Sequence, residues 1–205
     1  MNNKEIIKNT IENLIKNKKL ILKKYSPGGI IFNEGDTCEN LGYIYKGKVN
    51  ISTLSINDKE EIISSISNGD FFGQFLIFNS INNKYLGDII AQKNTEIALL
   101  NKNLLNELLM NDKSFLNAYL SFISEESYKV KQQVKMLSHK NNYDRVLYYL
   151  NNNNTNGIID IKSITNLARI VNLPRENVSR IISRLVKENI IKKNGNVIAL
   201  KKRAS

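Results

Sequence analysis

Leu116, Leu120, Ile123, Ser127, Val130, Val134 and Leu137 follow one another at spacings of 4, 3, 4, 3, 4 and 3 residues. No strand can use that spacing, but a helix places all seven positions in one narrow stripe. Glu125, Glu126, Lys129, Lys131 and Lys135 flank the stripe. A helix packed only on its own domain needs a wider apolar face than this. The pattern therefore predicts a self-pairing dimerisation helix over residues 113–142, with the polar Ser127 as the weak point of its seam. Such a helix divides the chain into a first part, 1–112, and a last part, 143–205.

The first part reads as β from residue 25 to 110. Short apolar runs, YIYKGKVNISTL (43–54), EIISSI (61–66) and EIALLN (96–101), alternate with turn signals at 27–29, 34–36, 46–48, 57–58 and 68–70. Strand-length runs at this spacing predict a sandwich or barrel. Gly28, Gly35, Gly47 and Gly69 are expected in backbone conformations that β-branched residues avoid. The N-terminal stretch has helical spacing with interspersed charge, unlike a signal peptide.

The last part returns to helices. YDRVLYYLNNN reads as one helix that stops at the asparagine run 151–157, and two shorter helices follow, separated by a break at Asn172. Asn172 tolerates the left-handed backbone that a sharp turn requires, and Pro174 suits the opening of the second helix. Leu167, Val171, Val178, Ile181 and Leu185 are expected to face inward, with the small Ala168 where the helices approach. Asn194-Gly195 lies between two strand-like runs and predicts a hairpin. Together these elements describe a winged helix-turn-helix. Arg175, Glu176, Ser179 and Arg180 are left on the outer face of the second helix, near the end that would enter a major groove. Arginine can donate twice to guanine, and an acid can accept from a cytosine amino group. An acid repels phosphate, so Glu176 makes sense mainly as a reader of bases. Arg169, Arg184, Lys162, Lys187, Lys192 and Lys193 are candidate DNA contacts around this set, mostly with the backbone.

Charge supports an acidic partner for this part. Residues 139–205 hold 13 lysines and arginines against 4 acids, whereas the preceding 138 residues hold 17 against 15. No run approaches a membrane span, and the single cysteine, Cys38, excludes an internal disulfide or a four-cysteine metal site. A cytoplasmic protein is expected. No enzyme is expected either, since a cupin-like metal site would need histidines that residues 25–110 lack.

The series SPGGIIFNEGDTCENLGYIYKGKVNIS, NGDFFGQFLIF, the heptad helix and LPRENVSRIISRL resembles the CRP/FNR family of bacterial transcription regulators over essentially the whole chain. The resemblance implies an α+β protein with an N-terminal cyclic-nucleotide-binding-type β-roll, a long dimerisation helix and a C-terminal winged helix-turn-helix. It implies a homodimer on double-stranded DNA, with RNA polymerase as a further partner. Arg175, Glu176, Ser179 and Arg180 match the family's base-reading positions, which implies a near-palindromic site with TTG- or TGA-like half-sites. An effector in the roll would then rotate the winged domains about residues 138–144.

The departures concern the effector pocket, which the resemblance places at Phe72, Gly73, Gln74, Phe75, Lys84, Val130 and Lys131. Gln74 stands where cyclic-AMP-binding members carry glutamate, and no arginine precedes Arg145. A cyclic phosphate in a roll wants a buried cation, and Lys84 is the nearest candidate. Cyclic AMP is therefore not the expected effector. The cysteine cluster of an oxygen-sensing iron–sulfur member is missing. His139, the sole histidine, is the one candidate haem ligand, and Cys38 the one candidate redox thiol. The sequence names no cofactor, and an unidentified small-molecule effector stays open. So do a haem-dependent gas or redox sensor of the same family and a regulatory module acting on a protein partner.

Overall fold

The computed structural model describes residues 2–55 and 60–201, so the turn signal at 57–58 lies outside the described residues. The chain forms two compact units, Met1–Glu125 and Glu126–Ser205.

The first unit opens with helix α1 (Asn3–Lys16), capped by the side chain of Asn2. Its residues Ile7, Ile11 and Leu14, one helical turn apart, are buried. Among the described residues eight strands follow: β1 (Leu22–Tyr25), β2 (Ile30–Phe32), β3 (Asn40–Lys46), β4 (Lys48–Leu54), β5 (Glu60–Ser67), β6 (Phe71–Phe72), β7 (Asp88–Ala91) and β8 (Thr95–Asn101). They form two four-stranded antiparallel sheets, ordered β1-β8-β3-β6 and β2-β7-β4-β5. Each of the three expected apolar runs falls within strands. Gly28, Gly35, Gly47 and Gly69 all take positive φ. Gly47 needs this most: it joins β3 to β4 at φ +116°, and a Cβ there would meet Thr95 Oγ1 at 2.4 Å.

Neighbouring aromatics on β6 hold the roll together. Phe71 packs outward against Tyr43, Tyr119 and Phe122, with centroids 5.1 to 6.2 Å away. Phe72 faces the other way, against Phe32 at 6.1 Å and Tyr85 at 6.5 Å, while Phe32 stacks on Tyr85 at 4.8 Å. The Phe72 ring lies so close to β3 that a Cβ at Gly42 would sit 2.0 Å from it.

Two expectations change here. The β reading of 25–110 misses helix α2 (Lys102–Asn111), which starts where the Asn101 side chain accepts the Leu104 amide. The long helix α3 (Lys113–Leu137) begins as expected but stops five residues before 142. The asparagine-rich stretch after it starts a new helix, α4 (Asn142–Asn152), capped by Asn141. Phe115, Ala118, Tyr119 and Phe122 form the buried stripe of α3 within the first unit.

In the second unit α4 is followed by β9 (Ile158–Asp160), α5 (Ile164–Val171), α6 (Arg175–Lys187), β10 (Ile191–Asn194) and β11 (Val197–Leu200). The three strands form one antiparallel sheet, β10-β11-β9. Its hairpin turns at Gly195-Asn196, one residue beyond the expected pair, because Asn194 still pairs with Val197. Met136 of α3 joins Val146, Leu150, Leu167, Val171, Val178, Ile182 and Leu185 in this unit's core.

Candidate nucleic-acid interface

Asn172 ends α5 in the left-handed conformation, at φ 51° and ψ 57°. Leu173 N–H then donates to Ala168 O at 3.0 Å, closing the turn. Pro174 sits at the cap of α6 rather than inside its first turn, with φ −55° and ψ 140°. Among the described residues no side chain caps α6, so the amides of its first turn remain to bond an outside acceptor. Val178, Ile182 and Leu185 are buried against the unit's core, and Ile181 is only half-buried, which makes Ile182 the stronger anchor.

The opposite side of α6 is open. Arg175, Glu176, Ser179 and Arg180 are all exposed, and among the described residues none of the three charged ones forms an ion pair. Ser183, one turn beyond Ser179, shares this open face and donates to Ser179 O at 3.0 Å. The sequence reading passed over it, although its spacing from Ser179 was the available signal. Arg184 is differently placed. Its Nε donates to Glu188 at 2.7 Å, and its guanidinium lies 4.8 Å from the Tyr143 ring centre. The hydrogen bond to Glu188 pushes the Arg184 pKa up; hydrogen bonds from Tyr143 and Arg184 push that of Glu188 down. Arg169 is exposed at the end of α5 beside Asn166. Lys162, Lys187, Lys192 and Lys193 are exposed as well, the last two on β10.

Side chains of α4 reach back to the end of α3 and to His139, in the stretch 138–144 where the rotation is expected. Arg145 Nη2 donates to Leu137 O at 3.2 Å and His139 O at 3.0 Å, closing the C-terminal end of α3. The Tyr148 hydroxyl donates to Gln132 Oε1.

The proposed effector residues occupy several settings. Phe72 is core, 1 % exposed. Gly73 adopts φ +81°, with Cys38 Sγ 2.9 Å from where a Cβ would stand. Gln74 is half-buried, Phe75 and Lys84 are exposed, and the Lys84 backbone bridges to Thr37. Val130 and Lys131 are exposed positions of α3, in the second unit. Cys38 is buried, with its thiol bonded to Asn40 O and Gly73 O. Burial pushes its pKa up, towards the protonated thiol and away from the thiolate that reacts. The His139 ring lies 4.9 Å from that of Tyr148, with its Nε2 buried and without a hydrogen-bond partner among the described residues. Among the described residues, no group of three or more His, Cys, Asp or Glu could hold a metal ion.

No helix among the described residues is long and apolar enough to cross a membrane. Residues 22–112 match the family described as the cyclic nucleotide-binding domain. The chain is similar to the cAMP-activated global transcriptional regulator Vfr of Pseudomonas aeruginosa, 24% identical over 188 residues, covering 87% of this chain and 88% of that one. It is 23% identical over 187 residues to the cAMP-activated global transcriptional regulator CRP of Salmonella typhimurium, covering 87% and 89%. The structure of the c-di-GMP-responsive global regulator CLP of Xanthomonas campestris shares the fold. Its TM-score is 0.61 at 20% identity, over 94% of this chain and 98% of that one.

Proposed function

We propose that the chain is a regulator of the CRP/FNR type and acts as a cytoplasmic homodimer that reads a near-palindromic DNA site. One observation carries this reading: Arg175, Glu176, Ser179 and Arg180 stand exposed on one side of α6, directly after the left-handed turn at Asn172. In a dimer paired through the α3 seam, two such helices would enter successive major grooves roughly 34 Å apart. Arg175 and Arg180 donate to guanine edges, Glu176 accepts from cytosine, and Ser179 serves base or phosphate, which suits a TTG- or TGA-like half-site. Arg169, Lys162, Lys187, Lys192 and Lys193 contact the phosphates and set the register. Arg184 joins them only by exchanging Glu188 for a phosphate oxygen.

The division of labour we assign is a sensor over 1–112, a pairing helix over 113–137 and a DNA-binding domain that starts with α4 at 142 and runs to 205. RNA polymerase is the further partner this role calls for. The relatives are named for cAMP or c-di-GMP, yet cyclic AMP suits this roll poorly. The first unit contains no arginine, and Lys84 is exposed rather than buried beside Gln74. The effector is then a different small molecule held near Phe72, Gly73, Gln74 and Phe75.

A gel-shift series with palindromic and random duplexes at increasing salt tests the reading. The expected result is a strong preference for one palindrome that survives salt better than the random binding does. Equal affinity for every duplex would favour a regulatory module that acts on a protein.

A further inference from the structure

A cleft of about 360 Å³ opens in the second unit, away from the recognition face of α6. It is lined by the C-terminal half of α3, the end of α4 and Ile170 of α5. This volume lies within the range of small-molecule sites. On α3 the lining residues Tyr128, Gln132 and Met136 recur every four positions. The helical period puts them on the side away from the seam residues Val130, Val134 and Leu137. Pairing through the seam therefore leaves the part of the cleft's α3 wall made by Tyr128, Gln132 and Met136 uncovered.

The lining has a consistent chemistry. Met136, Ile170 and the Tyr149 ring give it an apolar floor, since Met136 is buried and the other two half-buried. Gln132 bridges two phenols: its Nε2 donates to Tyr128 Oη at 2.6 Å, and its Oε1 accepts from Tyr148. The Tyr128 hydroxyl keeps its own proton to donate. Asn152 and Asn153 each use an amide hydrogen on the carbonyl four residues earlier, at 2.8 and 2.9 Å. Among the described residues neither of their side-chain oxygens accepts a bond, so both are offered as acceptors. The nearby cations are engaged: Lys129 pairs with Glu126 at 2.6 Å, and Lys135 lies over the Tyr148 ring at 5.7 Å. Aromatic walls, two amide acceptors and one phenol donor suit a flat, uncharged ring that carries its own N–H donors. They do not suit a phosphate.

We propose that this cleft is a second ligand site, for a small neutral heteroaromatic molecule bearing amino or amide donors, of the size of a nucleobase. An occupant would touch α3, α4 and α5 at once, and so would stiffen the helix-turn-helix against the pairing helix. The site is separate from the roll and does not depend on what the roll binds.

Saturation-transfer NMR on the full-length protein, with adenine and nicotinamide as probes and benzoate as an anionic comparator, tests the proposal without reference to DNA. Adenine or nicotinamide should receive saturation, and benzoate should not. Tyr128→Ala removes an exposed ring and its donor, and should weaken probe binding about tenfold. Ile170→Phe, which fills the floor, should abolish it, with circular dichroism confirming that both variants fold. Silence from both probes would overturn the proposal. So would benzoate binding equal to adenine's, or probe binding unchanged in Tyr128→Ala, which keeps the measurement decisive even where Ile170→Phe does not fold.

Discussion

Truncating Val134 to alanine isolates the proposed pairing seam. Val134 is 62 % exposed within the chain, and its neighbours in the stripe, Leu120, Val130 and Leu137, are 53 %, 49 % and 37 % exposed. Burying a CH₂ group is worth about 0.8 kcal/mol, so the two groups lost are worth about 1.6 kcal/mol on full burial. Only the part still exposed in the single chain can be buried by pairing, which reduces the loss to about 1 kcal/mol per protomer. A two-fold interface counts it twice, giving about 2 kcal/mol and a dimer dissociation constant raised roughly 30-fold. Helix propensity works in the opposite direction, since alanine favours α3 by roughly 0.5 kcal/mol over valine. Lost association therefore cannot be ascribed to a frayed helix. Sedimentation equilibrium over a dilution series measures the constant. Met110→Ala, at an 83 % exposed position of α2, is the control that should leave it unchanged. An unaltered dissociation constant for Val134→Ala would refute the seam, and equal weakening by both variants would refute its location.

Three further outcomes follow from the geometry. Arg180→Ala should lose about 1–3 kcal/mol on the preferred duplex and far less on random DNA, whereas Lys193→Ala should weaken both alike and lower the salt slope by about one. Quantitative gel shifts separate these two behaviours. Arg145→Gln removes the two bonds that close the end of α3, and should lower urea-unfolding stability by about 1.5–3 kcal/mol. Tyr119→Phe should hold or raise stability by up to about 1 kcal/mol, because the buried Tyr119 hydroxyl has no hydrogen-bond partner among the described residues. The same variant bears on alkaline stability. Burial pushes the pKa of Tyr43 and of Tyr119 up to about 12, from 10.0. Both favour the neutral form in the folded chain, so their contribution is intact below pH 10 and is lost as pH rises towards 12. Urea titrations across that window should show a shallower decline for Tyr119→Phe.

The winged helix was legible because its signals are local. Asn172 in a left-handed turn, Pro174 beside it and a glycine in the wing each constrain their own backbone, whatever the rest of the chain does. The outward set Arg175, Glu176, Ser179 and Arg180 follows from the helical period once the buried side is known. Elsewhere the signals were weaker than their context. Helix α2 lay inside a region read by its turns, and Asn101, the residue that caps it, resembles any other residue of an asparagine-rich sequence. The end of α3 was misplaced because helical spacing alone does not mark where a helix stops: the seam ends at Leu137, while the group that closes the helix comes from Arg145, a turn into the next one. The roll interior was the least legible part. Phe32, Phe72 and Tyr85 meet from β2, from β6 and from the chain before β7, and such pairings follow from sheet order rather than from sequence neighbours. The same holds for Gly42, whose need to be glycine is set by a ring thirty residues away.

The energies also limit where an effector can act. Moving a two-state regulator from about 1:99 to 99:1 takes roughly 5.5 kcal/mol of differential binding. No single side chain on α6 commands that, since one base contact is worth about 1–3 kcal/mol. The seam does. Completing the burial of Leu120, Val130 and Val134 amounts to about 3 kcal/mol per protomer and about 6 for a symmetric pair. Those residues share α3 with Phe115, Tyr119 and Phe122, whose rings pack in the core of the first unit, and with Met136, which packs in the core of the second. A ligand that disturbs Phe71 disturbs the packing of Tyr119 and Phe122, and through it the side chains next to the seam. On the proposed function, control of DNA binding is therefore best placed in the proposed pairing, with the candidate reading face of α6 left constant.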